Sequence, residues 1–269
     1  MRRQDCTDST IRAKTYIFAY TIWLYETLKQ TNIFMRRYFE STDMLCVDLK
    51  KFELFKDLRE SELEEIEKKF NIVKLKKNSV VYREGCNVGG IYIVISGIIK
   101  IYKTGYEGKE QIVRFACNGE PVGFRSLITD EPACSTSEAL VETVLCYIPG
   151  EEMLFLFKNN PEFAMTLLKI ACDELGAANQ FILHLSQLTV RERLAEVIIH
   201  LMKKFDLDEE HRLRIALTRE DLANLVGTAT ESVIRLLSEF KTDNLIEVQG
   251  RYIKILDAPT LAKVANIVL

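Results

Sequence analysis

Glu231 and Arg235 are the residues of this 269-residue chain whose types and spacing speak most directly of chemistry. An arginine offers two parallel N–H donors that match guanine O6 and N7, and a glutamate accepts from cytosine N4. Four residues apart on a helix they share one face, where they could also pair and hold each other in pose. Alone, such a pair is most often a solvated helix face, so its surroundings decide. Thr218 has the chemistry of an N-cap for a helix over Arg219–Val226, with Glu220 and Asp221 in the first turn where the helix dipole favours acids. Gly227 follows the apolar set Leu222, Leu225 and Val226 and can supply the positive φ that ends a helix. A second helix is predicted from about Thr228, burying Val233, Leu236, Leu237 and Phe240 and leaving Thr230, Glu231 and Arg235 on another face. Asn244 breaks it, and residues 246–248 and 252–255 then form a hairpin across Gln249, Gly250 and Arg251. Two short helices and a hairpin in this order read as a winged helix-turn-helix, whose second helix enters the major groove. Thr218, Thr228, Thr230, Glu231, Ser232, Arg235 and Arg251 are the candidate contacts to double-stranded DNA.

The elements that must position this unit lie upstream. Residues 189–205 read as an amphipathic helix opening at Thr189, with Leu194, Val197, Ile198 and Leu201 on its core face. Before it runs a longer helix, from about Pro161 to Leu188, with proline at a first-turn position where its missing N–H costs nothing. Phe163, Leu167, Ile170, Glu174, Ala177, Phe181, His184 and Leu188 recur there with alternating spacing of four and three, the pattern of a parallel coiled-coil seam. A second stripe, Met165, Leu168, Cys172, Leu175, Asn179 and Ile182, lies on another face. Two apolar faces imply two contacts, one with the preceding domain and one with a partner helix. The first stripe is the predicted homodimer interface, and a hinge near 188–190 would reorient the two reading helices. Further upstream, residues 47–70 look helical, with a capping box from Ser61 to Glu64. Strand patterns follow, and eight of the chain's 12 glycines fall between 85 and 123, as expected for a compact antiparallel roll with tight corners.

Residues from about 47 to the C-terminus resemble the Crp/Fnr family of bacterial transcription regulators. The resemblance implies an α+β fold: an antiparallel, jelly-roll-like β-roll sensor domain, a long dimerisation helix and a C-terminal winged helix-turn-helix. The expected divisions are an extension at 1–45, a cyclic-nucleotide-binding-like β-roll at 46–158, the dimerisation helix at 159–188 and the DNA-binding domain at 189–269. It also implies a homodimer reading palindromic promoter sites, with Glu231 and Arg235 at the family's half-site-reading positions, and RNA polymerase as a further partner. Nucleotide-binding rolls of the family carry a Gly-Glu before a short helix and an arginine about ten residues on. Here Phe124 stands at the glutamate position and Ala133 or Cys134 at the arginine position. Loss of the ribose acceptor and the phosphate cation makes cyclic AMP an unexpected ligand. Gly123, Phe124, Arg125, Ser126, Cys134 and Ser135 form the candidate effector pocket, and no effector is assigned. An oxygen-sensing member of the family holds an iron–sulfur cluster on N-terminal cysteines plus one in the roll. Cys146 matches the roll position, but Cys46 stands alone, so no metal or other cofactor is expected.

Composition agrees with a regulator without advertising one. Net charge is −3, and residues 189–257 carry 11 Lys/Arg against 13 Asp/Glu, four of the acids clustered at 206–210 in a predicted loop that could face away from DNA. Phosphate neutralisation supplies much of any DNA affinity, so non-specific binding is expected to be modest. Three histidines and no HExxH, GxSxG or phosphate-loop motif leave no catalytic constellation, and an enzyme is not expected. Seven cysteines with no CxxC argue against a secreted disulfide framework, and a cytoplasmic location is expected. Residues 15–25 form an apolar run after Arg2, Arg3, Arg12 and Lys14, too short to span a bilayer and without a small-residue cleavage site behind it. A mistaken start codon, with Met35 or Met44 as the true start, is the favoured reading. A loosely attached helix and a membrane tether are the alternatives. The competing functions are a dimer that binds an effector or partner but has lost DNA binding, and a redox or iron–sulfur sensing regulator of the same family.

Overall fold

The computed structural model describes residues 47–267, so the expectations for the first 45 residues, and Cys6 and Cys46, lie outside the described part. Residues 47–70 are not one helix. Two single 3-10 turns, Leu49–Lys51 and Glu53–Phe55, precede α1 (Glu60–Glu67). The N-cap of α1 is Arg59, two residues before the predicted cap Ser61. The Arg59 backbone N–H donates to Glu62 at 2.9 Å, and Asn160 Nδ2 donates to the same carboxylate at 3.0 Å. Glu62 takes the capping role in place of Glu64 because it also ties this helix to the head of a distant one.

Eight strands follow: β1 (Asn71–Leu75), β2 (Val80–Tyr82), β3 (Gly90–Ser96), β4 (Ile99–Thr104), β5 (Glu110–Ala116), β6 (Pro121–Val122), β7 (Thr136–Ala139) and β8 (Thr143–Pro149). They make two antiparallel sheets of order β1-β8-β3-β6 and β2-β7-β4-β5, the roll anticipated from the glycine-punctuated strands. Side chains alternate across β3. Val94 faces Ile99, Ile101, Ala116 and Leu145 between the sheets, while Ile91, Ile93 and Ile95 point outward onto helices. At Gly90 a Cβ would lie 2.2 Å from the Ile148 carbonyl oxygen, so the close pairing of β3 with β8 there admits only glycine.

Three helices cover that outer face: α2 (Phe124–Thr129), α3 (Gly150–Asn159) and the long α4 (Pro161–Gln187). Asn160 caps α4 by accepting from the Phe163 N–H at 3.0 Å, and Pro161 sits at the first helical position. The packing of α4 reassigns the two stripes. Phe163 and Leu167 are buried in their own chain's core, with Phe163 stacked on Phe55 at 6.2 Å and Ile170 packed beside them. Glu174 pairs with Arg114 of β5 at 2.8 Å, and His184 contacts Glu196. Ala177 is exposed, while Phe181 and Leu188 are half-buried. The predicted dimer seam is therefore, over its first half, the face that holds α4 to the roll and not a surface offered to a partner. The second stripe is the exposed one: Met165, Leu168, Leu175 and Ile182 are all half exposed or more, with Cys172 and Asn179 between them. Periodicity finds apolar faces but does not say which is used at home.

Leu188 breaks α4 in extended conformation, and Thr189 caps α5 (Val190–Phe205) in a reciprocal box with Glu192. The chain ends in α6 (Arg219–Val226), α7 (Thr230–Thr242), the antiparallel hairpin β9 (Ile246–Gln249) and β10 (Tyr252–Ile255), and α8 (Ala258–Val264). Leu194, Ile198, Leu222, Val226, Val233, Leu237 and Phe240 build its core. That core is continuous with the roll through Tyr102, Ile112, Phe115 and Leu140. Gln111 donates its side-chain amide to the Asn224 and Leu225 carbonyls at the end of α6, and Lys204 donates to the Phe115 carbonyl and to Glu120, both at 2.9 Å.

Candidate DNA interface

Local sequence positions the reading helix. Thr218 Oγ1 accepts from the Asp221 N–H at 2.9 Å and Asp221 accepts from the Thr218 N–H at 3.0 Å, so α6 begins on a reciprocal cap. Gly227 ends it at φ +71, as its residue type foretold. The second helix starts at Thr230, two residues later than predicted, with Ala229 as a cap that offers no side-chain acceptor. Thr228 and Ala229 form the turn, and Thr228 donates its N–H to the Ala223 carbonyl at 3.1 Å.

The face of α7 that points away from the core carries Glu231, Ile234, Arg235 and Ser238, at helical offsets of three, four and seven. Thr230 and Ser232 flank it, half-buried. Thr218 is committed to its cap. Arg251 stands exposed at the tip of the hairpin, beside Gly250, whose φ of +60 suits the two-residue turn. Glu231 and Arg235 share the face but do not pair with each other. Arg235 Nη1 donates instead to Glu239, one turn further on. Two residues that sequence reasoning passed over complete the surface. Ile234 is 50% exposed between Glu231 and Arg235, an apolar group on the reading face. Arg219 donates through Nη2 to the Gly250 carbonyl at 2.8 Å and so ties the wing to the start of α6, with burial depressing its pKa. Ile234 was detectable from its spacing; the Arg219 contact was not, because it crosses 31 residues. Behind the face, an open groove of about 610 Å³ is lined by Arg191, Arg235, Ser238, Glu239, Thr242 and Asp243.

The acids at 206–210 are partly tied up in their own loop: Asp208 accepts from the N–H groups of Glu210 and Arg212, each at 2.9 Å, and pairs with the Arg212 guanidinium at 2.8 Å.

The candidate effector residues differ in exposure and surroundings. Phe124 is 5% exposed and packs in the core beneath α3 and α4. Arg125 points outward to an ion pair with Glu131 at 2.7 Å, so it is not a free anion ligand. Ser126 and Ser135 are buried and Cys134 is exposed. Gly123, at φ +91, lies in a filled turn where a Cβ would meet Val88 at 3.0 Å. A cavity of about 260 Å³ opens elsewhere in the roll, lined by Val73, Leu75, Val80, Val81, Tyr92 and Tyr147. The phenylalanine turned inward because α2 is short and must anchor to the outer face of β3, a tertiary demand that linear spacing does not carry.

Cys146 is fully buried in β8, and desolvation pushes its thiol up to about 12. Among the described residues, no three His, Cys, Asp or Glu side chains converge as metal ligands.

A β-roll joined by one long helix to a winged helix-turn-helix with an exposed reading face defines a class: DNA-binding transcription regulators. The chain belongs to the Crp/Fnr family of that class. The family model for the cyclic nucleotide-binding domain matches residues 72–160, and that for the Crp-like helix-turn-helix domain matches 192–264. An anaerobic regulatory protein of Haemophilus influenzae is 33% identical over 206 residues, 74% of this chain and 79% of that protein. A fumarate and nitrate reduction regulatory protein of Yersinia pestis is 31% identical over 215 residues, covering 78% and 84%. Among solved structures, a Crp/Fnr-family regulator from Eubacterium rectale superposes with TM-score 0.68 at 20% identity, over 80% of this chain and 98% of that one. FixK2 from Bradyrhizobium japonicum gives 0.67 at 21%, over 74% and 99%. The family consists of transcription regulators, not enzymes, and no helix among the described residues is long and apolar enough to cross a membrane.

Proposed function

We propose that this regulator acts in the cytoplasm as a homodimer on palindromic promoter sites, without cyclic AMP as its effector. The observation that carries the reading is the solvent-facing stripe Glu231, Ile234, Arg235 on α7, beside a wing tied down by Arg219. Arg235 reads guanine, Glu231 the cytosine N4 side, and Arg251 at the wing tip meets phosphate. Thr230 and Ser232 flank the reading stripe, while Thr218 and Thr228 serve through the backbone geometry of the turn. Two copies joined along the exposed stripe of α4 would set the reading helices roughly 34–36 Å apart, one helical turn of DNA. Asn179, among apolar neighbours in that stripe, is the type of residue that selects one register. The inward Phe124 and the Arg125–Glu131 pair support the exclusion of cyclic AMP, and RNA polymerase is the partner a promoter-bound dimer would meet.

Selection of genomic DNA fragments by the purified protein tests the reading. Wild type should enrich a palindrome, and Arg235→Ala should bind it about 10-fold to 100-fold more weakly, the range for one bidentate base contact. Enrichment that persists in Arg235→Ala would refute it. Calorimetry should detect no heat with cyclic AMP; micromolar binding would overturn that exclusion. Leu175→Glu should yield monomers in sedimentation while keeping native circular dichroism, because Leu175 faces solvent in the protomer; an unchanged dimer would move the interface elsewhere.

A further inference from the structure

We propose that Glu239 is a positioning residue for base reading: it holds the Arg235 guanidinium by one nitrogen and leaves the other edge free for guanine. The inference rests on the DNA-reading role of α7. Two glutamates stand four residues from Arg235, Glu231 on its N-terminal side and Glu239 on its C-terminal side. On an isolated helix a glutamate N-terminal to its basic partner makes the better pair, which favours Glu231. The structure pairs Arg235 with Glu239.

The reason is that Glu239 is itself anchored. Arg191 Nη1 lies 3.4 Å from its carboxylate, and Arg191 Nη2 donates to Asp243 at 2.9 Å. Arg191 is fixed in turn by lying over the Phe240 ring, 4.7 Å from its centroid, and Phe240 is fully buried. A chain of contacts thus runs from a core aromatic to a side chain that is otherwise two-thirds exposed. With Nη1 engaged, the Nε–Nη2 edge of Arg235 remains as a parallel donor pair, the geometry guanine O6 and N7 accept. Arg235 then loses less rotamer freedom on binding.

An opposite expectation makes the idea testable. Glu239 adds negative charge near phosphates, so on electrostatics alone its removal should strengthen binding to every sequence equally. The positioning role concerns discrimination: the ratio of affinity for the selected site to affinity for the same site with the guanine read by Arg235 transverted. Glu239→Ala should lower that ratio about threefold to tenfold, the cost of immobilising one more flexible side chain on binding. Glu239→Gln keeps an acceptor oxygen and should retain most of it. In an Arg235→Ala background, Glu239→Ala should leave the ratio unchanged. Titrations of fluorescent duplexes at fixed salt give all five ratios, for wild type, the three single variants and the double variant, with thermal melting to verify folding. An unchanged or raised ratio in Glu239→Ala, or an equal loss in the Arg235→Ala background, overturns the proposal, as does a glutamine variant no better than alanine. A wild-type dimer that selects no sequence refutes the DNA reading itself, a distinct result that removes this inference with it.

Discussion

Ile234 shows how one side chain can sharpen a functional reading. A half-exposed β-branched residue in a helix lacks the packing that usually justifies its lower helix propensity. Between Glu231 and Arg235 it has an evident use, since an apolar group in the major groove recognises the thymine C5-methyl. Replacing one thymine of the selected half-site by uracil removes only that methyl. The change should weaken wild-type binding about threefold, near the worth of one buried carbon, and leave Ile234→Ser unaffected. Sensitivity that survives in Ile234→Ser would assign the contact to another residue. The residue scale was largely legible: the cap at Thr218, the stop at Gly227 and the exposure of Glu231 and Arg235 all followed from residue type and local spacing. The partner of Arg235 did not, because choosing between two glutamates at equal spacing required knowing where Arg191 lies.

At the scale of elements, the junction of α4 with α5 is the informative one. His184 Nδ1 faces a Glu196 carboxylate oxygen across it, and both groups are about one-fifth exposed. Burial lowers the pKa of His184 and raises that of Glu196 to about 7, opposite shifts across one contact. Below 6.5 the two shifts act in opposite senses: the raised glutamate makes stability fall as pH rises from 4.5, and the lowered histidine makes it rise. Above 6.5 only the glutamate effect remains, so the contribution of these two groups should fall as pH rises towards 7. Glu196→Gln leaves a histidine whose pKa is lowered on folding, so stability should then rise with pH up to 6.5. His184→Asn leaves a glutamate whose pKa is raised, so stability should fall with pH from 4.5 to about 7. Urea titrations at several pH values would read these slopes, and parallel profiles for all three proteins would show the pair to be uncoupled from folding.

At the scale of the whole molecule, the roll and the winged helix share one buried network. Lys100 on β4 is 7% exposed and lies 3.2 Å from Glu110, 3.6 Å from Glu138 and 3.8 Å from Asp221 of α6. Burial alone would depress its pKa, but the surrounding Glu138, Glu110 and Asp221 outweigh that and hold it above the ordinary lysine value. Asp221 also caps α6, so one carboxylate serves the start of the helix-turn-helix and its docking onto the roll. Phe115 meets Phe205 edge-on at 5.8 Å beside Lys204, continuing the contact along α5. A continuous core predicts that wild type melts in a single calorimetric transition. Lys100→Met leaves three carboxylates facing one another without a cation. It should cost roughly 1–3 kcal/mol, below the loss typical of fully buried pairs because these carboxylates keep some solvent, and should separate the winged-helix transition from that of the roll. A single unshifted transition would mean the network does not couple the domains.

The sequence by itself determined the local pieces: the glycine-punctuated strands of the roll, the start of α4 at Pro161, the starts of α5 after Thr189 and α6 after Thr218, and a winged helix-turn-helix with an outward Glu231 and Arg235. Those follow from hydrophobic period, turn residues and capping chemistry, all of which act over a few positions. Tertiary structure alone decided which apolar stripe of α4 stays at home, that Phe124 turns into the core and that Arg235 leans on Glu239. Each is a choice between near-equal local options, settled by a group distant in the chain: Phe55 for the stripe, the outer face of β3 for Phe124, Arg191 for Arg235. Local propensities differ by tenths of a kcal/mol, whereas burying one aromatic ring or pairing one half-buried charge is worth about 1–3 kcal/mol, so at these positions the long-range contact prevails.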